Sequence, residues 1–198
     1  VDATEVESIC EAADSIDGPV WCRVLRGSVP RLFDTPIRVG EMRELADGDD
    51  ILVVTSGICT EEALRARSAL KKAGLSIRHL HLHTIKPFDH GALLDHIGSV
   101  RHGVITLENH VTEGGVGSLV AETMADAGVG KRLVRLGLRD TYAHGGSRAY
   151  LMRYYGLDAL ALVRGIEDLV GQSFGIGEDD LDAARVDAVH SLVKAEAL

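Results

Sequence analysis

Short apolar runs alternate with helical patterns along this chain of 198 residues, and this alternation constrains the fold most. Ile51-Leu52-Val53-Val54 is an apolar run typical of a buried parallel strand. Residues 60–72 have helical spacing, and Gly74 stops that helix. Further strands are predicted at 76–82, 103–107 and 132–136, with helices at 90–97, 117–127, 148–155 and 158–170. The alternation predicts a three-layer α/β fold, in which a mainly parallel sheet carries helices on both faces.

The sequence divides into three parts. Residues 1–36 predict a helix with Thr4 as its N-cap, a strand at 20–25 and a linker, which are too few elements for a core. Residues 37–170 predict one complete α/β domain. Residues 171–198 begin Gly-rich and acidic and continue as a weakly amphipathic helix at 181–193, so we expect an acidic helical tail.

The composition excludes several classes of partner. The net charge is −9, and the sequence has no dense Lys/Arg block. We therefore expect neither nucleic acid nor an anionic membrane to be a partner. No apolar run approaches the roughly 20 residues that a membrane span needs. Cys10, Cys22 and Cys59 are scattered and odd in number, which predicts reduced thiols in a cytoplasmic protein.

Three motifs stand in fixed order where predicted strands give way to helices. They are Thr84-Ile85-Lys86-Pro87-Phe88-Asp89, then Glu108-Asn109-His110 running into Gly114-Gly115-Val116-Gly117-Ser118, then Gly137-Leu138-Arg139-Asp140-Thr141-Tyr142 up to Gly145-Gly146. In this order they resemble the C-terminal domain of the transketolase family of thiamine-diphosphate enzymes. That family includes transketolase, deoxyxylulose-phosphate synthase and the β-subunits of 2-oxo-acid dehydrogenases. The resemblance covers about 4–170.

The resemblance implies that the chain is incomplete on its own. Residues 1–36 would be the end of a pyrimidine-binding domain. Thiamine diphosphate and Mg²⁺ would be held mainly by domains outside this chain, because the family's Gly-Asp-Gly motif and its activating glutamate segment do not occur here. We therefore expect partner domains or subunits in a homo- or hetero-oligomer, and no cofactor binding or turnover by the isolated chain. Whether the chain is a natural subunit or a fragment stays open.

The expected activity is transfer of a two-carbon ketol unit between sugar phosphates by the assembled enzyme. A deoxyxylulose-phosphate-synthase-like enzyme and a 2-oxo-acid dehydrogenase are alternatives within the family. A non-catalytic assembly module that kept the fold is an alternative from another class.

Two arginines are the candidate substrate-binding residues. Arg26 follows the predicted strand at 20–25 and opens a Gly-Ser loop, and a guanidinium suits a phosphate because its planar fork donates paired hydrogen bonds. In the family an arginine at the matching place binds the substrate phosphate. Arg23 is the second candidate, although strand alternation puts it on another face, where a salt bridge is the simpler role.

The glycine-rich loop is the centre of the candidate interface. Its amides could face an anion at a helix N-terminus, but it lacks the Walker and dinucleotide spacings, so a tight turn and close helix packing explain it better. A Glu–His pair beside it could act as acid and base, but no nucleophile stands in a recognisable elbow. The resemblance implies an interface here, and the residues predicted for it are Glu108, His110, Gly114, Gly115, Gly117 and His144.

His79, His81 and His83 alternate along a predicted strand and therefore share one face. They would span about 13 Å, too far for a single metal ion. A polar, partly solvated face is expected, with Leu80 and Leu82 on the other side. Asp89 is expected to cap the helix that begins near His90.

Overall fold

The structure is a computed structural model that describes residues 2–25 and 29–183. The elements in chain order are α1 (Ala3–Asp14), β1 (Arg43–Ala46), β2 (Ile51–Ser56), α2 (Cys59–Lys72), β3 (Ile77–Leu82), α3 (His90–Gly98), β4 (Gly103–Val111), α4 (Val116–Asp126), β5 (Arg132–Leu138), α5 (Arg148–Tyr154), α6 (Ala159–Val170) and α7 (Glu178–Asp182).

The five strands form one sheet in the order β1-β3-β2-β4-β5. β2 pairs in parallel with β3 and with β4, and β4 pairs in parallel with β5. β1 is an antiparallel edge strand beside β3. The predicted α/β fold with a mainly parallel sheet is confirmed, and β1 is the strand that the sequence did not predict.

Helices cover both faces of the sheet, because alternate residues of its central strands point to opposite sides. Ile51 and Val53 belong to an apolar cluster with residues of α2 and α6. Leu52 and Val54 belong to a second cluster with residues of α3 and α4. The domain therefore has the three expected layers.

The N-terminal and C-terminal parts differ from their predictions in detail. The N-cap of α1 is Asp2, whose side chain accepts from the Glu5 amide, and Thr4 lies inside the helix. Residues 20–25 form no strand, because no other segment in the described part of the chain pairs with them. Near the C-terminus α7 is described, and most of the predicted helix at 181–193 lies outside the described residues.

The prediction of a solvated histidine face on β3 is wrong. His79 and His81 are 0% and 1% exposed. They face the α2 side of the sheet, where Thr60 of α2 and Glu5 of α1 contact the His81 ring. Leu80 and Leu82 pack in the opposite cluster, as expected.

Asp89 caps α3 as predicted, since its carboxylate accepts from the Ala92 amide at 2.9 Å. No helix in the described ranges is both long enough and apolar enough to cross a membrane.

Candidate functional site at the carboxyl edge of the sheet

A groove of about 950 Å³ lies at the carboxyl ends of the parallel strands. One wall is formed by α1 and residues 19–25, and the other by the segments that follow β2, β3 and β4. Ligand sites of α/β proteins are usually built at this edge. Apolar residues dominate the first wall: Val6, Ile9, Ile16, Val20, Trp21 and Val24.

The side chain of Glu108 caps the N-terminus of α4. Its carboxylate oxygens accept from the Val116 amide at 2.7 Å and from the Gly117 amide at 2.8 Å, and the residue is 1% exposed. A negative charge at a helix N-terminus is favourable because it pairs with free amides and with the helix dipole. These two amides are therefore already used and do not form an anion site.

The glycines of this loop allow that close approach. A Cβ atom on Gly115 would lie 2.1 Å from Oε2 of Glu108, and one on Gly117 would lie 2.9 Å from Cδ of Arg135. Gly114 has a φ of +72°, which favours glycine, although space beside it is open. The geometry supports the close-packing interpretation. A subunit interface at this loop stays a prediction.

Arg23 links the two walls of the groove. Its Nη2 donates to the carbonyl oxygen of Asn109 at 3.0 Å. Arg23 makes no salt bridge within the described residues. Its guanidinium instead holds residues 19–25 against the sheet edge. The other arginine candidate, Arg26, lies outside the described residues.

His110 and His144 are each engaged within the chain. His110 Nδ1 is 2.9 Å from the carbonyl oxygen of Val111. His144 Nε2 and Nδ1 lie 3.1 and 3.0 Å from the hydroxyl oxygens of Tyr150 and Tyr155, so this exposed side chain fastens its loop to α5. Their predicted interface roles are untested.

The sequence predicted neither the burial of His79 and His81 beside the groove nor the contact of Glu5 with His81. Burial raises the pKa of Glu5, but the hydrogen bond from His81 and the neighbouring charges outweigh burial and bring it to about 2. Burial lowers the pKa values of His79 and His81, and it lowers the pKa of His83 to about 4. The alternation of the histidines signalled one shared face, and Glu5 carried no signal of its own.

The described residues do not fit a Mg²⁺–diphosphate site. Among them no group of three or more His, Cys, Asp or Glu side chains is placed to hold a metal ion. The α4 amides that could face a phosphate bind Glu108 instead. Cys59 is fully buried and burial raises its pKa, so this thiol is a packing group.

These features define a three-layer α/β domain whose parallel strands end at an open groove. The family model for the transketolase C-terminal domain matches residues 40–162, so the chain belongs to that family. The resemblance carried by the three motifs is thereby confirmed.

Similar proteins include a transketolase C-terminal section, a transketolase subunit and a synthase. A transketolase C-terminal section of Methanocaldococcus jannaschii is 33% identical over 75% of this chain and 47% of that protein. The 6-deoxy-6-sulfo-D-fructose transketolase subunit SqwH of a Clostridium species is 32% identical over 85% of this chain and 52% of that protein. The 1-deoxy-D-xylulose-5-phosphate synthase 1 of Geobacter sulfurreducens is 33% identical over 84% of this chain and 27% of that protein.

Among solved structures, a split-gene transketolase described as an inactive β4 tetramer superposes with a TM-score of 0.80 at 29% identity. The match covers 87% of this chain and 57% of the other. The chain thus spans about half the length of the first curated relatives it matches.

Proposed function

We propose that this chain supplies the C-terminal part of a transketolase-like transferase that moves a two-carbon ketol unit between sugar phosphates. Thiamine diphosphate, bound with Mg²⁺ by other segments or subunits, would supply the group that stabilises the transferred unit as a carbanion. This chain's part is to complete the fold around residues 1–36, to present Arg26 and to hold the assembly together.

The observation that carries the proposal is the unfinished apolar wall of the groove. Val20, Trp21 and Val24 are 42%, 82% and 54% exposed. Contiguous exposed apolar surface marks an interaction site. Residues 20–25 have the composition of a strand but lack a strand partner in the described ranges, so they could join a sheet supplied by the rest of a pyrimidine-binding domain.

The relatives support a split arrangement. One of them is named a transketolase subunit, and the similar solved structure is named an inactive tetramer of a split-gene transketolase. Both names fit a chain that needs other subunits for activity. We accordingly propose an oligomer, with residues 108–118 and His144 near its contacts.

A synthase of the deoxyxylulose-phosphate type is the second candidate, because one such enzyme is 33% identical over 84% of this chain. Product analysis separates the two candidates. A transketolase exchanges ketol units between sugar phosphates, whereas the synthase accumulates 1-deoxy-D-xylulose 5-phosphate.

Reconstitution tests the proposal. The chain is mixed with a polypeptide from the same genome that carries the Gly-Asp-Gly motif and the glutamate-bearing segment, with thiamine diphosphate and Mg²⁺ added. Ketol transfer should appear only in the mixture, and Trp21, the single tryptophan, should shift its emission to the blue as it is covered. Micromolar binding of thiamine diphosphate to the isolated chain in calorimetry would contradict the proposal. Binding of the two polypeptides without any turnover would favour the assembly module.

Arg26→Ala tests the substrate assignment in that reconstituted enzyme. Hydrogen bonds to a charged group contribute about 1.5–3 kcal/mol, so kcat/KM for phosphorylated substrates should fall roughly ten- to hundredfold. Arg26→Lys should recover only part, because an ammonium cannot reproduce the fork. Arg139→Ala, an exposed arginine away from this segment, is the matched control and should leave kcat/KM almost unchanged. Equal losses for phosphorylated and unphosphorylated acceptors would show that Arg26 acts structurally.

A further inference from the structure

A row of buried polar side chains runs from α1 into the sheet beside the groove. Its members are Glu5, His81, Thr60, Thr55 and His79, each at most 5% exposed. From Glu5 Oε1 the successive distances are 2.9 Å to His81 Nε2, then 2.6 Å from His81 Nδ1 to Thr60 Oγ1. They continue with 2.8 Å to Thr55 Oγ1 and 2.9 Å from there to His79 Nε2. Every step is within hydrogen-bond distance.

The ionised carboxylate fixes which atom donates at each step. Glu5 can only accept, so His81 Nε2 carries a hydrogen. In a neutral ring Nδ1 then accepts, and the hydroxyl of Thr60 must donate to it. Thr60 therefore accepts from the hydroxyl of Thr55 at 2.8 Å, which is shorter than the 3.4 Å from that hydroxyl to its other acceptor, the carbonyl oxygen of Leu80. Thr55 in turn accepts from Nε2–H of His79, so all donors in the row point towards Glu5.

The far end of the row is consistent with this direction. His79 Nδ1 is buried and has no hydrogen-bond partner among the described residues. In the Nε2–H tautomer this atom is a bare lone pair, whereas the opposite tautomer would bury an N–H group without an acceptor, which is costly. Burial also favours the neutral form of both rings by lowering their pKa values.

The near end of the row is braced by side chains from other segments. Arg43 Nε lies 3.3 Å from Glu5 Oε1, and its guanidinium carbon lies 4.7 Å from the centre of the Phe33 ring. The Phe33 and His81 rings are 5.3 Å apart. Glu5 and His81 both line the groove. The contact between Glu5 and His81 therefore links α1 to the sheet edge.

We propose that this directional relay is a positioning element that fixes His79 and His81 as neutral Nε2–H tautomers and holds α1 at one wall of the groove. Thr60 is its central residue, because its hydroxyl joins the two halves of the row. That the groove receives the complementary part of an enzyme rests on the proposed function. The tautomers and the position of α1 do not.

Nuclear magnetic resonance of the full chain labelled with ¹⁵N-histidine tests the assignment directly. His79 and His81 should each give a protonated Nε2 and an unprotonated Nδ1. An imidazolium at His81, or a proton on Nδ1 of either ring, would overturn the proposal. This readout uses the wild-type chain and so does not depend on how any variant folds.

Amide hydrogen exchange of variants tests the positioning role. Thr60→Val removes the central hydroxyl with little change of shape, and exchange in α1 should rise about tenfold, the scale of one hydrogen bond. Thr60→Ser should restore the wild-type rate. Thr106→Val is the matched control, since Thr106 is a buried strand threonine whose hydroxyl has no partner in the described part of the chain.

Equal effects of Thr60→Val and Thr106→Val on α1 would overturn the proposal. If hydrogen exchange overturns the relay, the reconstitution experiment still tests the proposed function independently.

Discussion

The α/β sheet domain and the N-terminal helix are held by different forces. In the sheet domain Ile51, Leu52 and Val54 of β2 are 0% exposed, and apolar clusters on both faces enclose them. In α1 the apolar residues Val6 and Ile16 are 39% and 36% exposed. The sheet therefore has a complete apolar core, and α1 lacks one.

Polar contacts at one end take the place of a core for α1. Asp2 is 0% exposed, and its carboxylate accepts from the amides of Glu5, Leu32 and Phe33 at 2.9, 2.6 and 3.0 Å. Ser8 Oγ accepts from the Ile37 amide at 3.2 Å. Such contacts give the helix a defined place while leaving its apolar side open. Polar contacts at one end can thus hold a helix in place without an apolar core of its own.

Truncation of an apolar side chain should have very different effects in the two regions. Leu52→Ala should lower the free energy of unfolding by about 2–5 kcal/mol, because it leaves a cavity in a closed core. Ile16→Ala should cost only about 1 kcal/mol, because 36% of the residue is already exposed and no closed core is left with a cavity. Urea unfolding of both variants measures the difference. Similar losses would mean that α1 shares the core of the sheet.

Removal of the polar anchor should release α1 and spare the sheet. Asp2→Ala leaves three amides without their charged acceptor, and hydrogen bonds to a charged group contribute about 1.5–3 kcal/mol. Hydrogen exchange should become faster in α1 and stay slow in β2 and β4. Glu11→Ala, an exposed change on the same helix, is the control. Faster exchange throughout the sheet would contradict the separation of the two regions.

Acidification should weaken the contact between α1 and the sheet. The pKa values of His79, His81 and His83 lie below the ordinary value of 6.5, so below that pH the unfolded chain binds protons that the folded chain does not. The stability contributed by these neutral histidines is fully present above pH 6.5. It is lost as the pH falls from 6.5 through the pKa values of the folded state, which for His83 is about 4. The contribution of Glu5 is lost later, between pH 4.5 and about 2.

Urea unfolding at pH 7.5, 6 and 5 measures this loss. His83→Gln should make the loss of stability smaller, and His102→Gln, at an exposed turn, serves as its control. Stability that increases on acidification over this range would contradict the sign.

The smallest effect is expected at the contact that joins residues 19–25 to the sheet edge. Arg23→Ala removes one exposed hydrogen bond to Asn109 and should cost at most about 1 kcal/mol. The anisotropy of Trp21 fluorescence should fall as the segment moves more freely, with the unfolding midpoint almost unchanged. Arg139→Ala, an exposed arginine elsewhere, is the control. Unchanged anisotropy would show that other contacts hold the segment.

The sequence alone determined the layers of the fold, the order of the motifs and the family. Periodic apolar patterns report burial within one element, so the runs at 51–54 and 103–107 were sufficient to predict parallel strands. Local chemistry was also readable, as the Asp89 cap and the close-packed glycine loop show.

Only the tertiary structure decided what covers each surface. The alternation of His79 and His81 predicted their shared face correctly but not its burial, because Glu5, which closes it, is 76 residues away from His81 in the chain. The short antiparallel β1 and the unpaired residues 20–25 were misjudged for the same reason. Strand formation depends on a neighbouring strand, and a single segment's pattern does not contain that neighbour.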